Sequence, residues 1–147
     1  LAQIIGDQLL IGHVGDSAAY HLHSHQFEKI TIDHTMEQAL IDRLGETAHQ
    51  IMPAEYPHTL TQCLGQFEAE LCVKQTRLTL SSGDRLLLCT DGLNKVVSME
   101  AIQQILQLNE SPAAISQKLV DSANANGGPD NITVIVIFIN ESPRTTA

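Results

Sequence analysis

The 147-residue chain has no tryptophan, and its tyrosines and phenylalanines bring aromatic content to only 3%. Its 43% of apolar residues still suffices for one ordinary domain with a real core. Positive charge is scarce too: 8 Lys and Arg stand against 17 Asp and Glu, a net charge of -9. That balance argues against a nucleic-acid or anionic-membrane surface. It leaves a phosphorylated substrate open, because bound cations reverse a local field. Cysteine is limited to Cys63, Cys72 and Cys89, with no Cys-x-x-Cys spacing. An odd number in apolar settings reads as reduced, mostly buried thiols of an intracellular, cytoplasmic protein, with core packing preferred to metal binding or catalysis. No stretch is long and apolar enough to span a membrane, and no signal peptide is visible. No Gly-x-Ser-x-Gly elbow occurs, which removes a serine-hydrolase reading. The chain also opens at Leu1 without an initiator Met, with Ala2 to Ile5 already strand-like. It therefore reads as one domain over 1–147, the carboxyl-terminal portion of something longer.

What is present concentrates in two stretches. Arg85 to Cys89 is an apolar run that ends in Thr90-Asp91-Gly92. Gly127-Gly128-Pro129-Asp130-Asn131 is a Gly-rich turn that leads into the apolar run Ile132 to Ile137. Continuous apolar runs of this length read as strands buried on both faces. If the two strands lie antiparallel side by side, Asp91 and Asp130 meet at one edge of the sheet. Two adjacent carboxylates repel unless a proton or cation lies between them. A hard divalent ion such as Mg²⁺ or Mn²⁺, which prefers oxygen ligands, is the natural occupant. Each aspartate also has a plainer reading: Asp91 as a helix-capping turn residue, Asp130 as the start of a Pro-Asp-Asn turn.

The first third is β-rich: Ala2–Ile5, Gln8–Val14, Ala18–His23 and Phe27–Thr31, joined by Gly6-Asp7, Gly15-Asp16-Ser17 and Ser24-His25-Gln26, read as a meander. Met36, Leu40, Ile41 and Leu44 share one helical face, and Gly45 stops that helix. Residues 46–57, interrupted by Pro53 and Pro57, read as a surface loop, and Leu71 to Leu80 as a strand. Ser98 and Ser111-Pro112 are start signals for two late helices. The polar tail from Asn140 to Ala147 is expected to fray. The pattern is α+β: antiparallel sheet strands with the two late helices packed on them. His21, His23 and His25 alternate as metal ligands on one strand face would, but a solvated face with a turn at Ser24 to Gln26 is the simpler expectation.

The order of the motifs resembles the carboxyl-terminal part of the PP2C-like (PPM family) metal-dependent protein serine/threonine phosphatases. Gly12-His13-Val14-Gly15-Asp16-Ser17-Ala18-Ala19-Tyr20 is similar to that family's VGDSRxY motif, and Asp33-His34-Thr35 to its DHS. Leu60 to Gly65 resembles its LTRALG stretch, Gly83 to Leu93 its GDxLLLCSDGL, and Gly127 to Val134 its GGxDNITV. Singly such motifs are weak, whereas ordered matches from about residue 8 to about residue 139 are strong. The resemblance implies an αββα sandwich with two Mn²⁺ or Mg²⁺ ions at its edge, where a metal-activated water attacks the phosphorus of phosphoserine or phosphothreonine. By motif, Asp91 and Asp130 become metal ligands, and Asp16, with Asp91, helps to hold a third, weaker metal. Gly92 and Asn131 fall beside them as substrate or supporting positions, with Asn131 expected to brace Asp130.

Two departures matter. Ala18 stands where the family has Arg, and the family's early Asp-Gly-x-Gly-Gly-type segment, with its phosphate-binding Arg, has no counterpart here. The chain is thus expected to need that missing amino-terminal segment as a partner, and to leave one sheet face of the sandwich bare. The function implied is a phosphoprotein phosphatase working opposite a serine/threonine kinase. The alternative is a non-catalytic pseudophosphatase or partner-binding module.

Overall fold

The computed structural model describes residues 1–66 and 70–140. Apart from Asn140, the tail expected to fray lies outside the described residues. The chain runs β1 (Ala2–Ile5), β2 (Gln8–His13), β3 (Ala18–His23), β4 (Gln26–Lys29), α1 (Met36–Leu44), α2 (Ala48–Ile51), β5 (Lys74–Thr79), β6 (Arg85–Cys89), α3 (Asp91–Asn94), α4 (Met99–Leu106), α5 (Pro112–Ala125) and β7 (Val134–Phe138).

Local chemistry sets the boundaries. Gly6, at φ +61°, makes the two-residue turn that pairs Ile5 with Gln8. Thr35 accepts from the Gln38 N–H at 3.1 Å to start α1, and Gly45, at φ +60°, ends it. Ser98 and Ser111 cap α4 and α5 by accepting from Ala101 and Ala114, each at 3.2 Å. The stretch read as loop over 46–57 is partly helical, with α2 and a 3₁₀ turn at Tyr56–His58. Its short turns carry too little periodicity to show in the sequence.

The strands sort into two antiparallel sheets, β1-β2-β5 and β4-β3-β6-β7. The expected meander is therefore broken: β2 and β3 are consecutive but unpaired, and Gly15-Asp16-Ser17 is a corner where the chain changes sheets. Burial explains the split. In β2 every second residue is buried, whereas β3 is buried from Ala18 through Leu22. A strand covered on both faces belongs in the middle layer.

Between the sheets, Leu9, Ile11, Ala19, Leu80 and Leu86 form one apolar cluster. On the other face of the four-stranded sheet, Tyr20, Leu22, Leu87 and Cys89 pack against Leu93, Ile102, Leu106, Ile115, Leu119 and Ala123. Each fully buried leucine contributes about 1.5–3 kcal/mol. Both sheet layers are thus supplied by this chain, which corrects the expectation of a single layer, while β1 and β5 of the three-stranded sheet stay largely exposed, as a bare face would leave them. Where the layers separate, an apolar cavity of about 520 Å³ opens beside His13, Ala18, Thr90, Thr133 and Ile135.

The cysteines also depart from expectation. Cys89 is buried, its thiol pushed up to about 12 by burial, but Cys63 and Cys72 are exposed, and all three are free. Both exposed cysteines precede β5, in stretches that pack on neither core cluster. Among the described residues no helix is long and apolar enough to cross a membrane.

Candidate metal centre

The antiparallel pairing of β6 with β7, in register Cys89↔Val134, brings the end of one strand to the start of the other. Asp91 and Asp130 therefore leave the same edge of the sheet. Thr90 ties the two segments together. Its N–H donates to the Thr133 carbonyl at 3.0 Å, its hydroxyl donates to the Asn131 carbonyl at 3.1 Å, and the same hydroxyl accepts from the Thr133 N–H at 3.0 Å. Gly92 is what allows the approach. A Cβ there would collide with the Asn131 carbonyl oxygen and stand 3.1 Å from its carbon. Asn131 braces Asp130 through its backbone, whose N–H donates to Asp130 Oδ1 at 2.7 Å.

Asp16 arrives from the corner where the chain passes from one sheet to the other. The Gly15-Asp16 turn is held by the DHS-like stretch: Gly15 N–H donates to His34 Nδ1 at 3.1 Å, and His34 N–H donates to the Gly15 carbonyl at 2.8 Å. Ala18↔Cys89 pairing then sets this corner beside the end of β6. The Lys95 ammonium joins the two acids, 2.5 Å from Asp91 Oδ2 and 3.5 Å from Asp16 Oδ2. Burial alone would lower the Lys95 pKa, but the Asp91 hydrogen bond and the charges of Asp91 and Asp16 outweigh it and hold the group above its ordinary value.

Sequence reading placed Asp91, Asp16 and Asp130 but missed Lys95 and Thr90. Lys95 was visible as an acid–lysine pair four residues apart, the spacing that puts two side chains on one helix face. Thr90 carried no signal, since its partners come from a distant loop. The three aspartates do not form a set with one ligand atom from each within 4.8 Å of the others. Among the described residues, the three-member set of His, Cys, Asp or Glu ligand atoms within 4.8 Å of one another is instead His21, His23 and Asp84. His21 is correspondingly buried at 7% exposure, against the expectation of a solvated strand face.

The donor set at Asp16, Asp91 and Asp130 is oxygen only, which suits Mg²⁺ or Mn²⁺. Two of its carboxylates already bracket a cation, the Lys95 ammonium.

Comparison with known proteins agrees with this geometry. A family profile described as stage II sporulation protein E (SpoIIE) matches residues 15–140. The serine/threonine protein phosphatase PstP of Mycobacterium tuberculosis is 36% identical over 133 residues, 89% of this chain and 25% of that protein. Protein phosphatase PhpP of Streptococcus pneumoniae is 32% identical over 138 residues, 94% of this chain and 56% of that protein. The crystal structure of the PstP catalytic domain in complex with two manganese ions superposes with a TM-score of 0.80 at 36% identity, covering 95% of this chain and 57% of that one. The chain thus spans between a quarter and somewhat over half the length of these proteins. A profile match across most of the chain, on a fold whose sheets superpose on a phosphatase domain, settles the lineage: the chain belongs to the SpoIIE family of PP2C-like phosphatase domains.

Proposed function

We propose that this chain is part of a Mn²⁺- or Mg²⁺-dependent phosphatase that removes phosphate from serine and threonine of proteins phosphorylated by a serine/threonine kinase. Its proposed metal ligands are Asp91, Asp130 and Asp16. The observation that carries the reading is the pairing of Asp16, from the corner between the sheets, with Asp91, from the end of β6, around one cation. Lys95 occupies there the electrostatic role that a metal ion would take over. That arrangement favours catalysis over the binding-only alternative, in which nothing requires these acids to face each other. When bound, the ions supply charge that lowers the pKa of water and draws the phosphate oxygens.

The residues of this chain do the holding. Thr90 and Gly92 lock the Asp130 loop onto α3, His34 fixes the corner that presents Asp16, and Asn131 orients the Asp130 carboxylate. The relatives' further length is proposed to supply the remaining ligands and the phosphate-binding cation. The free thiols fit action in the reducing cytoplasm.

The test is hydrolysis of p-nitrophenyl phosphate and a phosphothreonine peptide by the full-length protein. Activity should vanish with chelator and return with Mn²⁺. Asp91→Asn or Asp130→Asn should lower kcat by at least about a hundredfold. Full activity in either variant would overturn the assignment.

A further inference from the structure

At the end of β6 opposite Asp91 lies a cluster that the phosphatase reading does not use. His21 and His23 are two apart on β3, so they face the same side of the sheet. Leu22 pairs with Arg85, which sets Asp84, one residue before β6, against both rings. His21 Nε2 lies 2.8 Å from Asp84 Oδ2 and His23 Nδ1 lies 2.7 Å from Asp84 Oδ1. One ligand atom from each of the three residues falls within 4.8 Å of the other two. We propose that His21, His23 and Asp84 form a second cation site, selective for a borderline transition-metal ion such as Zn²⁺ or Co²⁺.

Donor chemistry sets the class of ion. Two imidazoles and one carboxylate suit Zn²⁺ and Co²⁺, whereas Mg²⁺ prefers oxygen alone. The carboxylate is prepared for the role. Asp84 is 2% exposed, and Ser81 N–H donates to its Oδ2 at 2.9 Å. Its own backbone is fixed on both sides, its N–H donating to Ser81 and its carbonyl accepting from Ile139 at 2.9 Å. Burial by itself would raise the Asp84 pKa, but the Ser81, His21 and His23 hydrogen bonds outweigh it and hold the group below the usual carboxylate range. An ionised carboxylate only accepts, so both facing ring nitrogens carry protons while no ion is bound.

An ion would take the place of those two shared protons. Metal–ligand distances of about 2.0–2.2 Å require the N···O separations to open by a few tenths of an ångström. Each ring proton then moves to the ring's other nitrogen, and an oxygen stands near each of these. Glu28 Oε1 is 3.9 Å from His21 Nδ1, and Ser24 Oγ is 3.3 Å from His23 Nε2. Oxygens placed on the far nitrogen are how metal-bound imidazoles are oriented. The β3–β4 turn that carries Ser24 is held with Ser24 at φ +46° and His25 at φ +73°, the left-handed pair that a two-residue turn of this kind demands. The His23 side chain is 45% exposed, which provides the entry path and leaves a coordination position for solvent.

The test uses this chain after chelator treatment, with Asp91→Asn and Asp130→Asn introduced to disable the oxygen-only centre. Equilibrium dialysis should find one Zn²⁺ bound, not displaced by excess Mg²⁺. His23→Gln should weaken that binding by more than about tenfold, with the metal-free melting temperature close to the parent's because His23 is half-exposed. Co²⁺ added to the unmutated chain should give visible d–d absorption that is lost on Zn²⁺ addition. Absence of Zn²⁺ binding, Zn²⁺ binding unchanged by His23→Gln, or a Co²⁺ spectrum like that of the aquo ion would each overturn the site and leave a hydrogen-bonded triad.

Discussion

The two ends of strand β6 solve the same electrostatic problem in opposite ways. At the carboxyl end, Asp91 and Asp16 are about a quarter exposed, and a flexible lysine neutralises them. At the amino end, Asp84 is buried and hydrogen-bonded by two histidines held on one strand. A lysine can swing away and yield its carboxylates to an incoming cation at small cost, because partly exposed ion pairs are worth only about 0–1 kcal/mol. A buried carboxylate between imidazoles cannot be vacated without leaving unpaired polar groups. The first arrangement suits a centre whose ions come and go, and the second suits one that also supports the fold.

The sharpest way to break the comparison is to delete each acid. Asp84→Ala strands His21 in the interior and removes three hydrogen bonds, so it should cost about 3 kcal/mol or more in denaturant unfolding. Asp91→Ala should stay within about 1 kcal/mol. Equal costs would erase the distinction. Gly92→Ala is next. The collision with Asn131 should cost about 1–3 kcal/mol and, by moving the Asp130 loop, should weaken Mn²⁺ binding as well. A smaller effect, about 1 kcal/mol, is expected for Thr90→Val, which removes a donor and an acceptor, with Thr90→Ser near neutral. Lys95→Met should leave stability almost unchanged yet raise Mn²⁺ affinity, measured by calorimetry, since the competing cation is gone.

Much of this was legible in the residues. Ala2–Ile5, Ala18–His23 and the whole of α1 fall where the strand-like runs and the helical spacing, stopped at Gly45, put them. The edge shared by Asp91 and Asp130 followed from two apolar runs ending and starting in acids. The sorting of strands into sheets was hidden, because a run buried on both faces says that neighbours exist without saying which. The His21–Asp84 contact was hidden for the same reason. Its two residues are far apart in the chain, and only strand register joins them. His21 in isolation looks like any strand histidine, and Asp84 like any residue of a Ser-Gly-Asp turn.

The smallest effect separates the two ends by pH. His13 and His34 stack with ring centroids 5.4 Å apart beside the corner that presents Asp16, and both are buried. Burial holds each below the ordinary histidine value of 6.5, and for His34 the nearby His13 adds to the lowering. The unfolded chain therefore takes up protons first. Stability from these rings is complete above about pH 6.5 and declines as pH falls from there toward the folded-state values. Asp84 is also depressed, but from the carboxylate value of 3.8, so its contribution is lost only in stronger acid. Denaturant midpoints of the chelator-treated chain should fall in two steps with acidification, a shallow one below pH about 6.5 and a steeper one below pH about 4. His13→Phe keeps the ring stack and removes a titrating group, so it should flatten the first step and leave the second. A first step untouched by His13→Phe would remove His13 from the mild-acid loss.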